Sequence, residues 1–379
     1  MRIRAAVIEQ KGAPFTIEQL ELDAPRANEV LVRIVAVGIC QTDIHMQHQE
    51  YPVPFPIVLG HEASGIVENV GPGVSDIKPG DKVVLSFPSC GHCSPCLSGS
   101  AAYCLHAYEL CFGGQRLDGS NALHRLSTKG EKETVHGHFF CQSSFAAYSI
   151  ALESNVVKVP DDAPLELLGP LGCGFQTGAG AIFNSLRVQV NSSIAVFGVG
   201  AVGLAAIMAA KAAGASKIIA IDIEDKRLTL ASELGATHTI NSKRESSSEQ
   251  IKSIVPIGLD YVLELTARPE MLKLAVDVLA PKGTAALIGG APLGTEASID
   301  MNQLLNGRTV RGIIQGDAVP RLFIPKLIDL YQAGRFPFDR LIRFYDFAEI
   351  NEAIEDIKKG QTIKAVLKVS TPLSPLRPW

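Results

Sequence analysis

Over the first 159 residues, apolar and polar positions alternate in short runs at residues 4–10, 29–37, 63–70 and 81–85, broken by turn pairs such as Pro72-Gly73 and Pro79-Gly80. Runs of that length and period predict half-buried strands, so this part reads as an irregular β-rich domain. From about Ser193 the pattern changes. Apolar runs at 194–197, 217–221, 261–265 and 284–288 are separated by helical stretches that extend to Ala213, around 226–234 and near 270–279. Strand–helix alternation predicts a doubly wound parallel sheet, an α/β fold. Beyond about Gln315 come one amphipathic stretch, a helix over 350–357 and a closing strand over 363–369. The expected division is therefore 1–176 for the β-rich part, 177–315 for the α/β part, and 316–379 for a return to the first. The polar segment 105–138 predicts a long surface lobe, and Glu245-Ser246-Ser247-Ser248-Glu249 a solvated loop. The tail from Thr371 to Trp379 holds three prolines and predicts a loosely held end. No internal repeat is present.

The stretch 194–210 is the most apolar and carries no charge, but at 17 residues it lies at the lower limit for a membrane span. It also contains Gly198, Gly200 and Gly203, and reads as strand, turn and helix. A length of 379 residues suggests two or three domains. Hydrophobic residues at 46%, charged residues at 20%, and 35 Lys+Arg against 39 Asp+Glu describe an ordinary globular protein with net charge -4. Nothing in that balance favours nucleic acid or an anionic membrane. Only Ala5-Ala6-Val7-Ile8 precede Glu9, too short an apolar run for a signal peptide, so the expectation is a cytoplasmic protein. Without a secretory signal, the eight cysteines read as thiols available to metal rather than as disulfides.

Their spacing supports that reading. In Cys90-Gly91-His92-Cys93-Ser94-Pro95-Cys96, followed by Cys104, four thiols fall within fifteen residues. Four thiolates on one loop suit a closed tetrahedral zinc that organises a segment with little core of its own. An iron–sulfur cluster is the rival, since C-x2-C-x2-C also opens ferredoxin motifs, but there the fourth cysteine comes sooner and precedes proline. A second set comprises Cys40, His61 and, between glycines at the junction of the two patterns, Cys173. Three such ligands leave a zinc with an open position, as catalytic sites require. Each taken singly is an ordinary core residue; the set gains weight from the thiol loop. Third, Gly198-Val199-Gly200-Ala201-Val202-Gly203 stands between a strand and a helix, with Asp222 ending the next strand. That context suits a dinucleotide pyrophosphate at the helix N-terminus, and Asp222 would accept from ribose hydroxyls and repel a 2′-phosphate, favouring NAD over NADP. Arg227, on the following helix, is expected beside the cofactor. Cys111 and Cys141 read as buried thiols. His92, His106 and His138 read as surface or structural residues.

Together these residues resemble the zinc-dependent medium-chain alcohol dehydrogenases over nearly the whole chain. The resemblance implies a GroES-like catalytic domain beside a Rossmann domain. It also implies a catalytic zinc on Cys40, His61 and Cys173, and a structural one on Cys90, Cys93, Cys96 and Cys104. By the same likeness Thr42 relays the substrate proton, His45 completes the relay, Asp43 backs the zinc-bound histidine, and Glu62 sits beside the metal in reach of Lys364. Gln41 departs from the basic residue that many members place at the pyrophosphate. The stretches 169–180, 289–296 and 334–341 look like the benzyl or aryl-alcohol branch, which includes relatives acting on monoterpene alcohols. The expected activity is NAD-linked oxidation of a primary aryl or allylic alcohol, with Phe139-Phe140 as an apolar wall. The alternatives are a carbonyl reductase, an aliphatic alcohol dehydrogenase and a non-enzymatic zinc protein. The family likeness also implies a homo-oligomer, dimer or tetramer, with a small-molecule substrate as the only other partner.

Overall fold

Strand Glu29–Gly38 organises the first of two units. Its run of valines, leucine and isoleucine is buried nearly throughout because neighbours flank both edges and cover both faces. It pairs antiparallel with Glu62–Val70, Tyr148–Leu152 and Lys364–Lys368. Val156–Lys158, Lys82–Leu85 and Ile342–Asp346 complete a seven-stranded sheet. A five-stranded sheet runs in the order Ile57–Val58, Arg2–Ile8, Thr16–Leu22, Leu123–Leu126 and Lys132–Val135. One core that includes Val7, Ile34, Phe145, Ile350 and Leu367 joins the two sheets. The computed structural model describes residues 1–126 and 131–369. Within it the first unit is Met1–Cys173, Val319–Ile328 and the chain from Asp339 onward; the second is Gly174–Ala318 with Asp329–Phe338.

The second unit carries a six-stranded parallel sheet ordered His238–Asn241, Lys217–Asp222, Ser193–Phe197, Leu259–Glu264, Leu279–Leu287 and Thr309–Gly312. Its central strand is wholly buried, as an unbroken apolar run between helical layers should be. The apolar stretch 194–210 divides into that strand, a glycine turn and helix Ala201–Ala213, as expected. Among the described residues no helix is long and apolar enough to cross a membrane.

Two expectations require correction. The serine run at 245–249 is not merely a loop: Ser246 caps helix Ser247–Ile254, its hydroxyl accepting from the Glu249 amide. A Ser-x-x-Glu start followed by Ile251 and Ile254 is a helix signature that the polar composition masked. Segment 105–138 is also not simply a surface lobe. It forms helix Ala107–Phe112 and the hairpin Leu123–Leu126 with Lys132–Val135, which extends the five-stranded sheet and buries Leu110, Ala122, Leu123 and Val135. The expected loose tail lies outside the described residues.

The core also holds a polar group that makes stability depend on pH. His138 is buried, its Nε2 has no partner, and its φ of 59° is left-handed. Burial, helped by the nearby Arg116 charge, pushes its pKa from 6.5 down to about 4. The folded state therefore refuses a proton that the unfolded chain accepts, so stability falls as pH drops from 6.5 towards 4, by up to about 3 kcal/mol. Asparagine tolerates a left-handed backbone and does not titrate. In His138→Asn, urea unfolding followed across this pH range should lack that part of the acid slope; an unchanged slope would place it elsewhere.

Candidate active site

The residues proposed for metal come from chain positions far apart, and strand register brings them together. Gly38 pairs with Glu62 on one side and with Val366 on the other. The end of the central strand, the start of Glu62–Val70 and the start of Lys364–Lys368 thus meet at one edge. Position 38 requires glycine, because a Cβ there would collide with the Glu62 carboxylate and crowd the Pro170 ring. Beyond Gly38 the chain enters helix Gln41–Gln47, with Cys40 as the N-cap in extended geometry. Asp43, at the third helical position, accepts from the Cys40 amide at 2.9 Å and closes a capping box.

The same carboxylate takes on a second task. Asp43 Oδ1 accepts from the Gly60 amide at 3.1 Å and from His61 Nδ1 at 3.0 Å. That bond puts the imidazole proton on Nδ1, leaving Nε2 as a bare lone pair. His61 Nε2 is buried with no hydrogen-bond partner. It faces the Cys40 and Cys173 thiols and the Glu62 carboxylate, the ligating atoms of all four lying within 4.8 Å of one another. An orphaned imidazole nitrogen among two sulfurs suits a tetrahedral zinc, and one position remains for another oxygen. Phe140 stacks on the His61 ring at 4.4 Å between centroids, and Phe139 meets it edge-on at 5.5 Å. Gln142 holds the His61 and Ser86 carbonyls at 3.1 and 3.2 Å, and Ser86 Oγ donates to Gly172 beside Cys173.

Charges in this pocket of the first unit are strongly coupled. A hydrogen bond from Cys173 holds the Cys40 thiol well below its ordinary value against the effect of burial. Burial opposes protonation of His61, yet Asp43 and Cys40 raise its pKa well above that of a free imidazole, a pull on positive charge at Nε2 that an ion seated there would meet in place of a proton. Glu62 is wholly buried, and burial pushes its carboxyl up to about 7 despite the opposing charge of Lys364. Lys364 Nζ lies 2.8 and 3.0 Å from the two Glu62 oxygens and donates to the Ile39 carbonyl at 3.1 Å. The Glu62 charge keeps that ammonium protonated although burial works against it. Thr42 Oγ1 stands 3.7 Å from Cys40 Sγ, which puts a hydroxyl at the rim of the ligand group. His45 lies one turn along the same helix face.

The thiol loop forms a second cluster. Cys90, Cys93, Cys96 and Cys104 gather with sulfur separations of 3.4 Å for Cys93–Cys96 and 3.9 Å for Cys90–Cys96 and Cys93–Cys104. A tetrahedron with Zn–S bonds of about 2.3 Å has edges of about 3.8 Å, so the spacing fits a single ion. Amides of Cys90 and His106 point at Cys104 Sγ at 3.3 and 3.4 Å, but burial outweighs these donors and pushes the thiol up. His92 and His106 are exposed, as expected, but with Cys90 they make a third group of ligating atoms, sharing that sulfur with the thiol set. Cys111 and Cys141 are buried thiols, and Cys141 donates to the Leu110 carbonyl.

In the second unit the glycine turn has the geometry an anion requires. Gly198 is left-handed with φ 90°, and a Cβ on Gly203 would collide with the Gly198 carbonyl, so the helix packs close under the turn. A Cβ on Gly200 would meet nothing within 4 Å, leaving that side open in front of the helix N-terminus. Asp222 ends its strand and is buried, accepting from the Val199 amide at 2.8 Å and from the amides of Ile223 and Glu224 at 2.8 and 3.0 Å. Arg227 Nη1 lies 3.8 Å from Asp222 Oδ2.

A β-rich unit with a zinc-type ligand group and a Rossmann unit with an open glycine turn define a dinucleotide-linked, zinc-binding oxidoreductase. Residues 26–161 match the alcohol dehydrogenase GroES-like domain, and residues 201–333 match the zinc-binding dehydrogenase family. The chain is 46% identical over 367 residues to a geraniol dehydrogenase of Castellaniella defragrans, covering 96% of this chain and 97% of that protein. The benzyl alcohol dehydrogenase of Acinetobacter calcoaceticus superposes with a TM-score of 0.94 at 49% identity, over 98% of this chain and all of that one. An alcohol dehydrogenase zinc-binding domain protein from Burkholderia ambifaria gives 0.95 at 52%, over 98% and 99%. The chain belongs to the zinc-dependent alcohol dehydrogenases of the medium-chain family.

Proposed function

We propose that this enzyme oxidises a primary alcohol whose carbinol carbon adjoins an aromatic ring or a double bond, passing hydride to NAD, and that it runs in reverse on the aldehyde. The observation that carries the reading is the bare, buried Nε2 of His61 among two thiols, with the Thr42 hydroxyl at the rim. Cys40, His61 and Cys173 would hold the catalytic zinc, and Cys90, Cys93, Cys96 and Cys104 a structural one, two ions per chain. When bound, the catalytic ion lowers the pKa of an oxygen ligand by several units and so eases loss of the alcohol proton. The chain's own residues do the rest. Asp43 fixes the His61 tautomer, and Phe140 fixes the ring plane. Thr42 accepts the alcohol proton and passes its own towards His45, a partly exposed imidazole one turn along the same helix. Glu62 and Lys364 set the charge beneath the ligands. Asp222 takes the adenosine ribose hydroxyls and disfavours a 2′-phosphate, with Arg227 beside it.

The aryl or allylic preference is supported by the substrates named for the two relatives above and by Phe140 lying against His61. A conjugated carbinol also yields hydride more easily, because the product carbonyl is stabilised. Steady-state kinetics with benzyl alcohol, geraniol, hexanol and ethanol, each with NAD and with NADP, test both parts. We expect kcat/KM for the first two to exceed that for ethanol by at least about a hundredfold, since each buried methylene-sized group contributes about 0.8 kcal/mol. Parity with ethanol would leave an aliphatic alcohol dehydrogenase, and parity between cofactors would remove the role given to Asp222.

A further inference from the structure

We infer that Glu50 is a positioning residue for proton exit: it holds His45 as the Nδ1–H tautomer, so that Nε2 is the atom that receives the substrate proton. The inference rests on the relay role proposed for His45.

The pairing is built by the backbone. Helix Gln41–Gln47 ends at His48, and Gln49 turns left-handed with φ 55°. The Glu50 amide then bonds back to the His45 carbonyl at 3.0 Å, and the Gln49 amide to the Met46 carbonyl at 3.0 Å. These two bonds make a Schellman cap, which places the second residue past the helix beside the residue three from its end. In most such caps the two side chains make an apolar contact. Here they are an imidazole and a carboxylate, with His45 Nδ1 2.7 Å from Glu50 Oε2. Gln49 Nε2 secures the turn by donating to the Val53 carbonyl at 2.8 Å.

Both side chains are partly exposed, so the pair adds little to stability. Its effect is on which nitrogen carries the proton. An ionised carboxylate has only acceptors, so the imidazole nitrogen facing it must donate. With Nδ1–H committed to Glu50, the lone pair on Nε2 forms the new N–H bond as the relay delivers its proton, and the resulting imidazolium then gives the Nε2 proton to water. The carboxylate faces the positive charge that develops, as in other carboxylate–histidine pairs.

The test uses zinc-loaded enzyme with 15N-labelled histidine. In the wild type, at a pH where His45 is neutral, its ring nitrogens should give the shifts of the Nδ1–H form. In Glu50→Ala they should move towards the mixture seen for free imidazole, and kcat for alcohol oxidation should fall on the order of tenfold with zinc content unchanged. Glu50→Gln, whose amide oxygen still accepts, should retain the tautomer and most of the rate. In a His45→Ala background, Glu50→Ala should remove nothing further. Unchanged nitrogen shifts in Glu50→Ala, or a rate loss that persists without His45, would overturn the inference. A separate result, full turnover in His45→Ala alone, would overturn the relay beneath it, and the nitrogen shifts would still report the pair.

Discussion

Cys40→Ser should lower alcohol oxidation by on the order of a thousandfold, because the hydroxyl is a far weaker zinc ligand and several kcal/mol of charge stabilisation go with the ion. Metal analysis should fall from about two ions per chain to about one, while unfolding curves stay close to wild type, since Cys40 lies at a helix start and carries no layer of the core. Cys96→Ser should behave in the opposite way. Its thiol belongs to a small cluster in which Cys104, Leu110 and Cys141 are the buried residues, and that loop has little else to organise it. Stability should therefore be lost first, and activity with it. Iron in place of zinc, or undiminished turnover in the Cys40 variant, would end the mechanism.

Lys364→Met should be the most damaging single change to stability near the site. Glu62 is fully buried and Lys364 nearly so, and their contacts engage both carboxylate oxygens. Removing one partner leaves Glu62 buried without its counter-charge, so that it must take up a proton and lose its hydrogen bonds, at up to about 3–5 kcal/mol, which in a unit of this size lowers the melting temperature on the order of 10 °C. Replacing both groups with apolar side chains of similar volume removes the problem, so Glu62→Leu with Lys364→Met should recover most of the loss. If the double variant melts as low as the single one, the pair is not the cause.

Much of this was readable from the chain. Buried parallel strands announce themselves as unbroken apolar runs, and the glycine fingerprint gains meaning only from the strand before it and the helix after it, both visible in the pattern. The thiol loop was legible because its four cysteines are local. Strand Thr16–Leu22 escaped notice because glutamates and a glutamine interrupt its alternation. Helix Ser247–Ile254 was hidden by its serines, although its cap was written in them. Glu62 and Lys364 could be linked only by family likeness, since they lie 302 residues apart on strands that meet only through a shared neighbour. The Glu50 contact with His45 depends on a left-handed turn at a glutamine, a conformation that no local rule assigns to that residue type.

The distances along the chain between the proposed ligands would also set a timetable for metallation. Cys90 to Cys104 are all present once residue 104 has left the ribosome, so the loop can take its ion on a nascent chain. The other set waits for Cys173, and the charge pair beneath it waits for Lys364, 302 residues beyond Glu62. At roughly 5–20 residues per second, the 260 residues from Cys104 to Lys364 take on the order of ten to fifty seconds. On the assignment proposed above, a chain that stops short of its last strand would keep an ion at the thiol loop and never build a floor for the second, which would make the second ion a reporter of completed synthesis.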